Sequence, residues 1–282
     1  MPRIAAQVQV STASGMRQVQ FQLDPEQMTQ RAILNAFQAQ QFYEPETTQL
    51  LATLLAPGDG FIDVGGHVGY FAMLAAALVG PGGRVLVFEP ERANYQHILT
   101  HMAANDYHHV TPFPWAVGAE RRVVEFFVNA DNDGGHALWD PGRHPFNEKS
   151  RTAVTKVPTY QTSLDAVLPG AAPGSVKLVK IDVEGNEMQV LRGARELLRG
   201  AKVPAVVAEV NTFALQQQGA SEPNMRTFMY QLGYVSYLPV QWPPVLLRPD
   251  QSYQSQYVYN LLFVSPELQA RVANLWPQVQ SG

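Results

Sequence analysis

Residues 61–69 read FIDVGGHVG, a short apolar run that turns through two glycines into the apolar stretch Tyr70–Val79. A strand that turns this sharply into a helix, with free N–H groups at the helix start, is built to touch a ligand with backbone. The stretch is not the dinucleotide fingerprint G-x-G-x-x-G, because His67 stands where the second glycine lets the chain approach a pyrophosphate. Asp63, at the last turn of the strand, is placed to meet an ammonium group. Without a ligand, the same glycines would serve only the packing of helix on strand.

Outward from this loop the pattern repeats. Arg84–Phe88 is a second strand ended by Glu89-Pro90, Arg92–Asn105 a second helix, and His109–Phe113 with Trp115-Ala116-Val117 a third strand and its exit. Strands alternating with helices imply βαβ units and a parallel sheet with right-handed crossovers. Alternation resumes with a strand at 176–181, a helix at 187–198, a strand at 204–210 and a helix near 223–232. Strands at 234–238 and 259–264 follow. The last has no crossover helix before it, since 239–258 reads as Pro- and Gln-rich loop, and is expected to run antiparallel to its neighbour. Between the third strand and the strand at 176–181 lies an insertion, 121–160, of the kind that forms a lid or a substrate wall. Residues 1–55, with a strand at 17–23 and helices at 25–39 and 45–55, read as an appendage capping a main domain at 56–282.

Glu89 stands at the end of the second strand, where an acidic side chain takes two ribose hydroxyls in nucleoside-binding sheets. With the glycine loop it specifies an adenosyl group carrying an amino acid, S-adenosylmethionine. The remaining strand ends carry the acidic groups Asp182, Glu184 and Glu209. Lys180 and Asp182 share one face of their strand, and a lysine buried there must be paired. Methyl transfer to a hydroxyl needs alignment, exclusion of water and a group to take the proton. The candidates are Asp182, Glu184, Lys180 with a depressed pKa, and His136. A divalent metal held by Asp182 and Glu209 is possible but not favoured, since no third ligand is visible from spacing. On the insertion, Trp139 offers a flat face for a sugar ring, with Asp140, Arg143 and His144 as hydrogen-bond donors and acceptors; Glu209, at its strand end, is a further candidate to meet the substrate. Arg143, His144, Lys149, Arg151 and Lys156 form a basic cluster suited to a phosphate or carboxylate. Lys180–Asp182 as a purely structural pair, and the insertion as plain surface loop, are the competing readings. His97, His101, His108 and His109 are expected to be solvated.

Composition narrows the classes. The chain has 282 residues, 46% apolar, with 20 basic and 24 acidic side chains for a net charge of −4, and no cysteine. Disulfides, thiolate metal sites and cysteine nucleophiles are therefore excluded, and there is no basic footprint for nucleic acid. The N-terminus lacks a secretory pattern, and no apolar run reaches the roughly 20 residues of a membrane span. A cytoplasmic enzyme with a small-molecule acceptor, no nucleic-acid partner and no membrane is expected; the oligomeric state is open.

The motifs FIDVGGHVGYFAMLAAA, VLVFEPERANYQHI, TSLDAVL, LVKIDVEGNEMQVLRGARELL and PAVVAEV fall in the order of the FkbM family of methyltransferases, which residues 55–212 resemble. The resemblance implies a Rossmann-like class I methyltransferase fold: a seven-stranded, mostly parallel sheet with an antiparallel strand near the C-terminus. It implies S-adenosylmethionine-dependent O-methylation of a sugar or polyketide-type hydroxyl. By the same resemblance Asp63, Gly65 and Gly69 hold the methionine end, with Gly66 and His67 standing where the family usually has Ala-Asn. Glu89 takes the ribose with Asn94 nearby, and Ala116 and Val117 line the adenine pocket. Two other readings compete: an NAD-type oxidoreductase, which lacks its second glycine and a Tyr-x-x-x-Lys pair here, and a cofactor-binding module without catalysis.

Overall fold

The computed structural model describes residues 3–275 except 173, 252 and 254. The expected main domain thus ends in seven residues, 276–282, that lie outside the described part. The chain opens with a hairpin, β1 (Ile4–Thr12) and β2 (Gly15–Leu23), then α1 (Met28–Gln38) and α2 (Pro45–Leu54). The first crossover units are β3 (Gly60–Val64), α3 (Tyr70–Val79), β4 (Arg84–Phe88), α4 (Arg92–Asn105) and β5 (Val110–Phe113). A small sheet follows: β6 (Ala116–Val117), β7 (Arg122–Val128) and, after α5 (Glu148–Thr152), β8 (Thr155–Thr162). Next come α6 (Leu164–Val167), β9 (Leu178–Ile181), α7 (Glu187–Gly193), α8 (Arg195–Leu198), β10 (Ala205–Val210), α9 (Thr212–Gln217) and α10 (Glu222–Gln231). The chain closes with β11 (Val235–Leu238), β12 (Val245–Leu247), β13 (Tyr259–Val264) and α11 (Pro266–Leu275).

The main sheet runs β5-β4-β3-β9-β10-β13-β11-β12. β5, β4, β3, β9 and β10 pair in parallel, and β13 inserts antiparallel between β10 and β11. These are the seven strands and the antiparallel placement expected, in a Rossmann-like class I arrangement. An eighth strand, β12, pairs with β11 at the edge, in the stretch 239–258 read as loop. Because the central strands are parallel, Gly65, Glu89, Asp182 and Glu209 all emerge near one edge of the sheet.

α3 is buried at every position. Its inner side packs on β3 and β4, and its outer side is covered by β1, β2 and α2. A helix apolar all round is stable only when enclosed in this way. Val10, Val19, Phe21, Ile33 and Leu51 accordingly share one core with Met73, Leu74 and Val85. On the other face of the sheet α7, α8 and α10 bury Leu191, Leu198 and Met229 against Val179, Val206 and Phe263. No helix among the described residues is long and apolar enough to cross a membrane.

His97 and His101 are corrected here. Both are buried, at 5% and 0% exposure, because β2 lies across α4. His101 Nε2 accepts the Gln22 N–H at 2.9 Å and its Nδ1 reaches the Val68 carbonyl at 2.7 Å. His108 remains on the surface.

Candidate active site

A cavity of about 600 Å³ opens over the carboxyl ends of β3, β4, β9 and β10. Its wall contains Gly65, Gly66, His67, Glu89, Asn94, Ala116, Val117, His136, Lys180, Asp182, Glu184 and Glu209, twelve of the seventeen residues singled out from sequence.

The loop after β3 is held from both sides. The N–H groups of Gly65 and Gly66 both donate to the Phe88 carbonyl, at 2.9 and 3.0 Å. Gly65 adopts φ +82°, and a Cβ there would stand 1.7 Å from the Asp182 carbonyl oxygen, so only glycine fits between β3 and the β9 loop. His67, at φ +49°, donates its backbone N–H to Glu89 Oε2 at 2.8 Å, while Glu89 Oε1 accepts the Glu91 N–H at 2.7 Å. Burial lifts the Glu89 carboxyl to about 8 despite these two donors. Beyond it, Phe88 stacks on Phe113 at 4.8 Å and Phe113 meets Trp115 at 5.0 Å, giving this end of the cavity an aromatic and apolar wall with Ala116 and Val117.

The other end is acidic. Lys180 Nζ bonds Asp182 Oδ2 at 2.8 Å and lies 4.7 Å from the centre of the Phe71 ring. Burial works against the ammonium, but Asp182, Asp63 and Glu44 outweigh it and hold its pKa above the ordinary lysine value. Lys180 is therefore a fixed cation, and its expected role as a base is corrected. Glu184, at φ +52°, accepts from Asn211 Nδ2 at 3.0 Å. Burial, then the charges of Asp182 and Glu187, raise it to about 8. Glu209 is raised by the same causes, burial first, and its Oε2 is buried without a hydrogen-bond partner. His136 is also corrected as a base. Its Nδ1 accepts the Asn129 N–H at 2.9 Å, so the remaining ring nitrogen carries the proton, and burial holds the imidazole neutral with a pKa of about 4.

Five expected residues lie off the cavity wall. Asp63 is 1% exposed; in register it neighbours Lys180, whose ammonium lies over the Phe71 ring of α3. Neither of its oxygens has a hydrogen-bond partner, and burial lifts it to about 7 against the pull of Lys180. Gly69 faces Ile98 of α4, where it serves packing. Trp139 offers no free ring face: it is 8% exposed, donates Nε1–H to the Glu184 carbonyl at 2.7 Å and packs edge-on against Phe213. Arg143 reaches only Gln217, and His144 packs on Phe213. The basic cluster is likewise dispersed, with Arg151 turned to the Pro145 carbonyl and Lys156 to Glu125.

Residues 63–236 match the family described as "Methyltransferase FkbM domain". The chain belongs to the FkbM methyltransferase family. Among solved structures it is similar to the FkbM methyltransferase of Methylobacillus flagellatus KT, with a TM-score of 0.44 and 15% identity over 84% of this chain and 53% of that one. This chain thus spans about half the length of the Methylobacillus protein. It is also similar to an S-adenosylmethionine-dependent O-methyltransferase of Thermotoga maritima, with a TM-score of 0.43 and 12% identity over 91% of this chain and 77% of that one. No curated protein matches its sequence.

Several wall residues of this FkbM-family chain lie outside the motifs. Tyr43 and Glu44 enter from the segment before α2, and Tyr259 and Asn260 from β13. Asn260 Nδ2 bonds Thr47 Oγ1 at 3.1 Å and ties the two segments together. Glu44 holds φ +43° without capping α2. Burial raises its carboxyl, Lys180 eases it and Asp182 opposes it, which places it at the acidic end. The one local hint was a glutamate directly before Pro45 at a helix start. Among the described residues no three histidine, aspartate or glutamate side chains are grouped to hold a metal ion, so no third such ligand joins Asp182 and Glu209.

Proposed function

We propose that the chain transfers a methyl group from S-adenosylmethionine to a hydroxyl of a small molecule of the sugar or polyketide type. The observation that carries the reading is that one cavity joins a buried ribose-type acceptor, Glu89, to a group of carboxylates at the ends of β9 and β10. The buried, unpartnered Oε2 of Glu209 and the aromatic wall at Trp115 suit a ligand with both cationic and flat apolar parts. When bound, S-adenosylmethionine supplies an electrophilic methyl group on a sulfonium. Glu89 and Asn94 bind at the nucleoside end, and Tyr43 and Phe71 help keep water from the centre. Orientation of this kind contributes about 7–11 kcal/mol at best.

With His136 and Lys180 set aside, the acceptor's proton goes to Glu184 or Asp182. Glu184 is the better base, since a carboxyl near 8 combines basicity with partial ionisation at neutral pH. Lys180 holds Asp182 in place beside it.

The test is calorimetric titration with S-adenosylmethionine and with NAD, followed by labelled methyl transfer to a panel of sugar and polyketide hydroxyls, with and without chelator. Binding of S-adenosylmethionine, no heat from NAD and chelator-insensitive transfer are expected. Heat from NAD alone would return the oxidoreductase reading; binding without transfer to any hydroxyl would leave a cofactor-binding module.

A further inference from the structure

Asp133, on the 121–160 insertion, is 7% exposed and off the cavity wall, yet it gathers groups from three distant segments. Its Oδ1 accepts the Thr29 N–H at the start of α1 at 2.7 Å. Its Oδ2 accepts Gln30 Nε2 at 3.2 Å and meets His67 Nε2 at 2.8 Å. Its backbone carbonyl accepts Asn94 Nδ2 at 3.0 Å. His67 and Asn94 both line the cavity at the Glu89 end.

We infer that the Asp133 carboxylate is a positioning residue for binding of the S-adenosyl group, acting through His67; this rests on the reading of the cavity proposed above. A side chain at positive φ is held there only when its surroundings over-determine it. The His67 ring is clasped by Asp133 while its backbone N–H is aimed at Glu89 Oε2. Take away the clasp and His67 is free to leave the left-handed region, withdrawing a donor from a carboxylate that is buried and dependent on donors. The Asp133 carboxylate is suited to the task. Burial alone would raise its pKa, but His67, Thr29 and Gln30 hold it down to about 2, so it stays charged at any working pH. The first part of the insertion therefore belongs to the nucleoside end of the cavity, whereas sequence reading gave the insertion to the acceptor.

The experiment titrates S-adenosylhomocysteine into the full chain, into Asp133→Asn, His67→Ala and the double variant, and into Asp131→Asn as a loop control. Asp131 braces the same loop by accepting the Lys149 and Ser150 N–H groups and does not touch His67. Melting temperatures establish that each variant is folded. Expected are a rise in Kd of about tenfold in each clasp variant, the loss that follows from one charge-assisted hydrogen bond, and no further rise in the double variant. Asp131→Asn should bind like the parent. An unchanged Kd in Asp133→Asn, additive losses in the double variant, or an equal loss in Asp131→Asn would overturn the inference. Failure of the parent chain to bind S-adenosylhomocysteine would instead sink the cofactor reading beneath it.

Discussion

Six carboxyls near the cavity, Glu44, Asp63, Glu89, Glu184, Glu187 and Glu209, are raised above the ordinary range, and in each the largest cause is burial. They differ in what else reaches them. Glu89 and Glu187 are supported by backbone N–H groups, Asp63 chiefly by the charge of Lys180, and Glu184 by one side-chain amide. If Glu184 takes the acceptor's proton, methyl transfer should rise with pH through about 8 and then level, because only the ionised form accepts a proton. Rates of labelled transfer across this range check it. Glu184→Gln should lower the rate by about two orders of magnitude or more, and a profile flat through the same range would assign the proton to Asp182. Lys180 carries a second prediction. Replacing it with Met leaves Asp182 and the unpartnered Asp63 without their cation, and breaking a buried pair costs about 3–5 kcal/mol. Urea denaturation of Lys180→Met should show a loss of that order.

Elements meet most tightly where glycine stands. Gly193, in the VLRGA motif at the end of α7, lies so close to β6 that a Cβ would sit 2.0 Å from the Gly118 carbonyl oxygen and 2.9 Å from Ser163 Cβ. Its place in the motif is explained by the approach of helix to strand. Gly193→Ala should destabilise the chain by about 1–3 kcal/mol through overpacking, read as a lower denaturation midpoint. The shift of the Val117 carbonyl, which accepts Asn186 Nδ2 at 3.1 Å, should carry the damage to the β9 loop. The alternating crossover units were legible because each strand and helix has its own period and stop signal. β1 and β12, nine and three residues long, were not, since they become strands by pairing with β2 and β11.

Across the whole molecule the raised carboxyls set a pH dependence. A folded pKa above the unfolded one means that the native state binds more protons between the two values, so stability is full below the unfolded pKa and falls as pH rises. His97 and His136, lowered to about 4 by burial, oppose this below about pH 6.5, so with Asp63 and Glu187 near 7 and Glu89 and Glu184 near 8 the ligand-free chain should lose stability from about pH 6.5 to about pH 8. Melting temperatures across that range test it, and a constant or rising value would contradict the burial described here.

What the chain's own order of residues determined was everything governed by near neighbours: the glycine turn at 65–66, the acidic ends at Glu89 and Asp182, the parallel sheet and the antiparallel strand. Periodicity and turn chemistry act over a few residues and survive in any reading of them. Which side chains face the cavity was decided by packing between segments far apart in sequence. Asp63 was buried beside Lys180, Trp139 was sealed against Phe213, Glu44 was brought to the wall from outside the motifs, and Asp133 was set behind the wall against His67. Burial and opposing charge arise only when those segments meet, so the proton affinities and hydrogen-bond partners of the site belong to the tertiary structure alone.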